Sequence, residues 1–238
     1  MNSLTRLYSL TLYNIKLQFR QGFYYAWIFM TLFYILILYF LPQNIKNLIL
    51  PLIMLSEPST FAMIFTGAIV LLERDEKMFE NLFITPLPIR TYIYSKMISI
   101  AIPATICTFI ISGFSGNFST KLLLLIPAVI LTTFFCVILS LMLSASAKNV
   151  MSLVGKLGIY GSIFSLSILD YFGLLSGYFQ YLLPTKGALV LISTAVGYKD
   201  HSLYELILSF LTMTIAVIVI LYPAEKSFYK QIILQGGE

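Results

Sequence analysis

Residues 71–96, LLERDEKMFENLFITPLPIRTYIYSK, decide the fold of this chain. Six of the eight residues from Glu73 to Glu80 are charged, and long apolar runs flank the stretch on both sides. A polar element is therefore held between two segments of membrane-spanning length. Within it Met78, Phe79, Leu82 and Phe83 recur at helical spacing, which gives a helix an apolar stripe aimed at something other than bulk water. Pro86 and Pro88 then stop the helix. An ordinary solvated loop uses charges to stay out of the bilayer, but it needs neither the apolar pairs nor the double-proline stop. The pattern points to docking of a soluble partner protein.

Composition sets the class. Hydrophobic residues make up 59% of the chain and charged residues 11%, with a mean hydropathy of +0.91, whereas soluble domains carry about 25% charged residues. The chain reads as an all-α integral membrane protein. Its 238 residues accommodate about six spans at roughly 20 residues each, with little left for a separate soluble domain. Catalysis in an appended domain is excluded. The apolar runs fall at 22–41, 49–72, 91–114, 121–146, 150–175 and 203–222, and six spans place both termini on one side. Phe40, Leu41, Pro42 and Gln43 follow the first run with no small-residue cleavage site, so it stays as a span. Residues 170–202 form the one long interspan segment. It is itself apolar, and such a segment dips back into the bilayer or lies on it.

Lys and Arg give the orientation. Arg6, Lys16, Arg20, Arg74, Lys77, Arg90, Lys96, Lys148, Lys156, Lys226 and Lys230 fall on one side; Lys46, Lys121, Lys186 and Lys199 fall on the other. The positive-inside rule makes the termini and the charged stretch cytoplasmic and turns 170–202 outward. The net charge of +5 needs no nucleic-acid partner, because these cations are spread as topology signals rather than gathered in a groove. In the first twenty residues Leu4, Leu7, Tyr8, Leu12, Ile15 and Phe19 sit mostly at three- and four-residue steps, with Arg6, Asn14, Lys16 and Gln18 elsewhere on the wheel. This is an amphipathic helix on the inner leaflet, either a simple anchor or a contact for a cytoplasmic partner. Phe23, Tyr24, Tyr25 and Trp27 follow as an aromatic belt at the interface.

Catalytic and metal chemistry find little material. Cys107 and Cys136 lie in apolar runs as small fillers, and His201 is the single histidine, without partners for a metal site or a dyad. Gly155-Lys156 lacks the remaining residues of a P-loop, so ATP hydrolysis is not expected on this chain. Gly155, Gly158, Gly161, Ser162 and Ser165 put small residues on one broad side of the fifth run, fit for close helix packing, a hinge or a substrate contact. Glu57 is the one strong ionisable residue at membrane depth. Ser56-Glu57-Pro58 also has the form of a helix start, which would make residues 48–55 a separate outer segment. Both readings of Glu57 stand, a cap or a carboxylate with a proton or substrate role. Asp170, at the outer end of the fifth run, reads as solvated.

The charged helix followed by TPLPIRTYIYSK resembles the pattern of bacterial ABC type-2 exporter permeases, with Glu73 ending the second span, then Thr85, Pro86 and Leu87, then Lys96 re-entering the membrane. Within that family the chain is most similar to the small permeases of fluoroquinolone-type drug export. The shared features are Gln18, Arg20, Gly22, Phe23, Tyr24 and Tyr25 entering the first span, Glu57-Pro58, LLERDE, TPLP, and Tyr181 to Pro184 in the outer segment.

The resemblance implies a single transmembrane domain over 1–238. Its parts are a connecting helix at 1–21, spans at 22–72, a coupling-helix loop at 73–90, further spans at 91–175, an outer re-entrant segment at 176–202, a sixth span at 203–222 and a cytoplasmic tail at 223–238. It implies a subunit that pairs with a second permease subunit and two copies of a separate ABC ATPase in a bacterial plasma membrane. ATP and Mg are then expected on the partner, and no cofactor on this chain. The coupling residues are Glu73, Glu76, Met78, Phe79, Leu82, Phe83, Thr85 and Pro86, with Arg20 of the connecting helix a candidate partner for the acidic cluster. Glu57, Gly158, Tyr181 and Pro184 fall on the translocation path or its outer gate. Several relatives have a Gly where this chain has Phe79, Glu80 and Asn81, a departure within the docking segment. An apolar, aromatic-rich path suits amphipathic drugs, antimicrobial peptides or lipids, and permeases of lantibiotic immunity have similar size. The alternative from another class is an autonomous proton- or ion-coupled carrier using Glu57, although no inverted repeat is apparent.

Overall fold

The computed structural model describes residues 3–76, 78, 88–116, 121–174 and 183–235, and among these every regular element is helical. Helix α1 runs Ser3–Arg20 and α2 Phe23–Phe40, joined at Gly22, whose φ of 87° is a left-handed conformation that favours glycine. Helix α3 is one continuous rod, Gln43–Asp75, of 33 residues. At 1.5 Å per residue it is about 50 Å long, more than the roughly 30 Å hydrocarbon core requires. Helix α4 spans Ile89–Ser115, α5 Leu125–Ala145 after a short 3-10 turn, α6 Val150–Tyr171, α7 Pro184–Ala195 and α8 Leu203–Gln235.

Among the described residues six helices are long and apolar enough to cross a membrane: α2, α3, α4, α5 with its leading turn, α6 and α8. The sequence runs at 22–41, 91–114 and 121–146 match helices closely, because their hydrophobicity is unbroken, and the run that starts at 150 is helical as far as Tyr171. The second run begins earlier than read from sequence, at Gln43, and the last helix continues past Pro223 to Gln235, so residues 223–235 are helical.

Helix α5 is the centre. Residues from every side of it are buried, among them Val129, Thr133, Ile138 and Leu141, and it packs against α3, α4, α7 and α8. A helix apolar all round belongs in such a position. Helices α2, α6 and α8 instead turn most of their apolar surface outward. Helix α7 has twelve residues and every one except Lys186 is buried. At about 18 Å it is too short to span, and it is wedged against α8, α5, α3 and α6. Gly187 permits that fit, since a Cβ there would stand 2.8 Å from the backbone oxygen of Ser209 in α8. Lys186 pairs with Asp170 at 3.0 Å, and Tyr171 donates to the carbonyl of Leu48 at 2.8 Å. Asp170 is thus an ion-pair partner that ties the end of α6 to the start of α7, not a merely solvated acid. At the same end Lys121 donates to Asp200 at 2.5 Å, which holds this exposed carboxyl below the usual carboxylate range.

Helix α1 lies along α4 with a polar face inward. Asn14 and Gln18 are buried and donate to Ser95 Oγ and Ser99 Oγ, both at 2.9 Å, while Ser95 and Ser99 donate onward to the carbonyls of Tyr92 and Lys96. Leu4, Tyr8, Leu12 and Phe19 are exposed. Residues 3–20 are helical as their spacing predicts, but two of the polar side chains form the seam to the protein. They sit there because each has a hydrogen-bond partner. Phe23 and Trp27 are likewise not a belt: Trp27 is buried, and the two rings pack on Phe61 and Phe65 of α3 with centroids 5.2–5.6 Å apart. Tyr25 remains exposed.

Candidate functional site

Two buried polar clusters stand out, one where α3 and α4 flank the charged segment and one near the middle of α3. At the first, Glu73 is buried rather than solvated. Its Oε1 accepts from Lys96 Nζ in a close ion pair, and its Oε2 accepts from the Tyr92 hydroxyl at 2.6 Å. Lys96 is fully buried, and the Tyr92 ring stacks on Phe228 of α8 at 5.3 Å. The charges compensate one another, which is the condition for burying either. Nearby, Arg74 donates to the carbonyls of Ala147 and Lys148 at the end of α5, at 2.6 and 3.0 Å, and Arg90 pairs with Glu225 of α8 at 3.0 Å. The end of α3 and the start of α4 are thereby tied to the residues that follow α5 and to α8.

Of the residues singled out for partner contact, Glu76 is exposed and Met78 half-buried. Phe79, Leu82, Phe83, Thr85 and Pro86 lie outside the described residues, as does Tyr181 of the outer segment. Arg20 is exposed, and among the described residues no ion pair joins it to Glu73, Asp75 or Glu76. The partner of Glu73 is Lys96 instead. In the sequence Lys96 has the look of a topology charge, and the signal for this pair was an acid at the end of the second apolar run and a base within the first turns of the third.

At the second cluster the chain departs from the helix-start reading of Glu57. Ser56 has φ −65° and ψ −33°, within a helix, and its side chain caps nothing. Glu57–Phe61 is a π-turn inside α3. Pro58 has no N–H for the regular ladder, and the chain meets that loss by widening one turn rather than by breaking. Ser56 and Ser59 donate to the carbonyls of Ile53 and Leu55, at 2.9 and 2.6 Å, around the irregular turn. The Glu57 side chain is fully buried. Thr31 Oγ1 of α2 lies 2.9 Å from Glu57 Oε1, Thr108 Oγ1 of α4 lies 3.4 Å from Oε2, and the Cys107 thiol faces the same carboxyl. The carboxyl thus bridges the first and third spans.

On the other side of the π-turn Ser56, Ser59 and Thr60 line a cavity of about 130 Å3, together with Phe135 and Cys136 of α5, Gly161 and Ser165 of α6 and Thr185 of α7. Pro184 is the first residue of α7, and the neighbouring Thr185 meets Ser167 at 2.8 Å. Gly158 does not line this cavity. It is exposed, and a Cβ at Gly155, Gly158 or Gly161 would meet nothing within 4 Å. The close packing foreseen for these glycines is therefore not made among the described residues.

Among the described residues, six apolar helices of spanning length, five of them around the buried α5, with polar clusters inside the bundle, define a multi-pass membrane protein. The chain belongs to the fluoroquinolones export permease protein family, whose family model matches residues 5–236. It is similar to the Fluoroquinolones export permease protein of Mycobacterium tuberculosis strain CDC 1551 / Oshkosh, with 23% identity over 196 residues that cover 81% of each chain. The protein of the same description from strain ATCC 25618 / H37Rv gives the same identity and coverage. No solved structure matches the chain.

Proposed function

We propose that this permease is the membrane subunit of an ATP-driven ABC exporter in a bacterial plasma membrane, with both termini cytoplasmic and its energy supplied by a separate ATPase subunit. The observation that carries the reading is the Glu73–Lys96–Tyr92 cluster. It locks together the two helix ends from which the charged segment departs, so a displacement of that segment is delivered to α3 and α4 at once. Glu76, Met78, Phe79, Leu82, Phe83, Thr85 and Pro86 form the contact with the ATPase, and Glu73 anchors it. The Asn14 and Gln18 bonds give α1 a second input to α4.

The exported compound is an amphipathic drug of the fluoroquinolone kind. The named relatives support this, as does the cavity beside the π-turn, which is walled by apolar and hydroxyl side chains without a charge. The short buried helix α7, which begins at Pro184, acts together with Tyr181 as the outer re-entrant gate. A second permease subunit packs on the open small-residue face of α6.

The test is copurification with a candidate ABC ATPase coexpressed from the same source, together with fluoroquinolone susceptibility of cells expressing both. Phe83→Asp is expected to abolish association and to restore susceptibility. Unchanged association and unchanged drug-stimulated ATP hydrolysis in that variant refute the coupling assignment.

A further inference from the structure

Glu57 differs from the buried acid Glu73 in having no cation. Its side chain is completely buried near the middle of a spanning helix, and among the described residues no Lys, Arg or His pairs with it. The groups that face it are Thr31 from α2 and Thr108 and Cys107 from α4. Helix α5, which also packs on the π-turn, contains no Asp, Glu, Lys, Arg or His.

The hydrogen count decides what such a site holds. A threonine hydroxyl has one hydrogen. Thr31 Oγ1 stands 2.8 Å from its own helix carbonyl at Trp27 and 2.9 Å from Glu57 Oε1; Thr108 Oγ1 stands 2.8 Å from the carbonyl of Ala104 and 3.4 Å from Glu57 Oε2. With both hydroxyl hydrogens on the helix carbonyls, the shorter contact in each case and the usual back-bond of a helical threonine, the carboxyl faces two oxygen lone pairs and, from Cys107, only a weak S–H donor. A proton must then lie between Glu57 and Thr31. With the hydrogens turned to Glu57 instead, an ionised carboxylate stands at membrane depth against neutral groups alone, at a large desolvation cost. The first arrangement wins.

We propose that Glu57, Thr31 and Thr108 form a proton-binding site, with the proton carried on Glu57 and donated to Thr31 Oγ1. The π-turn gives the site its means of exchange. Irregular turns of this kind are frequent at functional sites, and the opposite side of this one borders the hydroxyl-lined cavity through Ser56, Ser59 and Thr60. When the turn rearranges, the carboxyl O–H bond breaks and the proton passes to water in that cavity. When it re-forms, a proton is taken back from water. The inference does not rest on the ATPase reading, since the site lies within one chain.

Infrared spectroscopy of the purified full chain in lipid nanodiscs tests it, through the C=O stretch of a protonated carboxyl at neutral pH. The expected result is a band that is absent from Glu57→Gln, shifted in position in Thr31→Val, and displaced when water is replaced by D2O. No protonated-carboxyl band in the wild type, or a band that survives Glu57→Gln, overturns the site. Should Glu57→Gln fail to fold, Thr31→Val serves by itself, because an unchanged band position in that near-isosteric variant removes the proposed hydrogen bond. A band that never responds to D2O overturns the exchange.

Discussion

Replacing Lys96 with Met tests whether the buried ion pair organises the junction of α3 and α4. The side chains of Lys96 and Glu73 are 0% and 4% exposed, so the solvent screening that reduces surface pairs to about 1 kcal/mol or less does not operate. Met keeps most of the apolar stem and deletes the charge. Removing one member of a buried pair costs about 3–5 kcal/mol, because the other charge is left without its partner. Glu73 retains the Tyr92 hydroxyl, a bond to a charged group worth about 1.5–3 kcal/mol, which places the expected loss near the lower end, at about 3 kcal/mol. At 1.4 kcal/mol per factor of ten this lowers the folded-to-unfolded ratio on the order of a hundredfold. The assay is reversible unfolding of the purified chain in micelles, comparing wild type, Lys96→Met, Glu73→Gln and the double variant. The double variant removes both charges and is expected to recover most of the loss. Wild-type stability in Lys96→Met, or a double variant no more stable than Lys96→Met, refutes the reasoning.

Gly187→Ala is expected to cost about 1–3 kcal/mol by overpacking, because the backbone oxygen of Ser209 cannot swing aside. Gly158→Ala, with open space around it, leaves the melting temperature of the isolated chain unchanged or slightly raised; equal losses in the two variants contradict this account. Asn14→Leu with Gln18→Leu removes two buried bonds worth about 1 kcal/mol each. Hydrogen exchange is expected to accelerate along α1 while the core of α4 keeps its protection, and unchanged exchange in α1 counts against the seam.

What the sequence made legible depended on whether the determining interaction was local. The runs at 91–114 and 121–146 announce α4 and α5 because continuous hydrophobicity has a single structural outcome at that length. Glu57 was ambiguous for a physical reason. Ser-Glu-Pro is a sound local signature of a helix start, and only Thr31 and Thr108, far away along the chain, hold it inside a continuous helix. Lys96 has the same character: its charge reads as a topology marker until α3 supplies Glu73. Asn14 and Gln18 looked like the wet side of an interfacial helix, since nothing near them in sequence reveals the serines of α4. The family was nevertheless readable, because the order of charged helix, TPLP step and re-entering Lys survives these local errors.

The joint at Gly22 has a mechanical consequence. Helix α1 is covalently continuous with α2 through this left-handed residue, yet its side-chain bonds run to α4. A displacement of α1 therefore does not push a single span; it shears the first against the third. Glu57 meets hydroxyls from those same two spans, Thr31 on one and Thr108 on the other. The carboxyl is placed as a strain gauge across that shear, and a movement at the membrane surface registers at its depth as a change in hydrogen bonding.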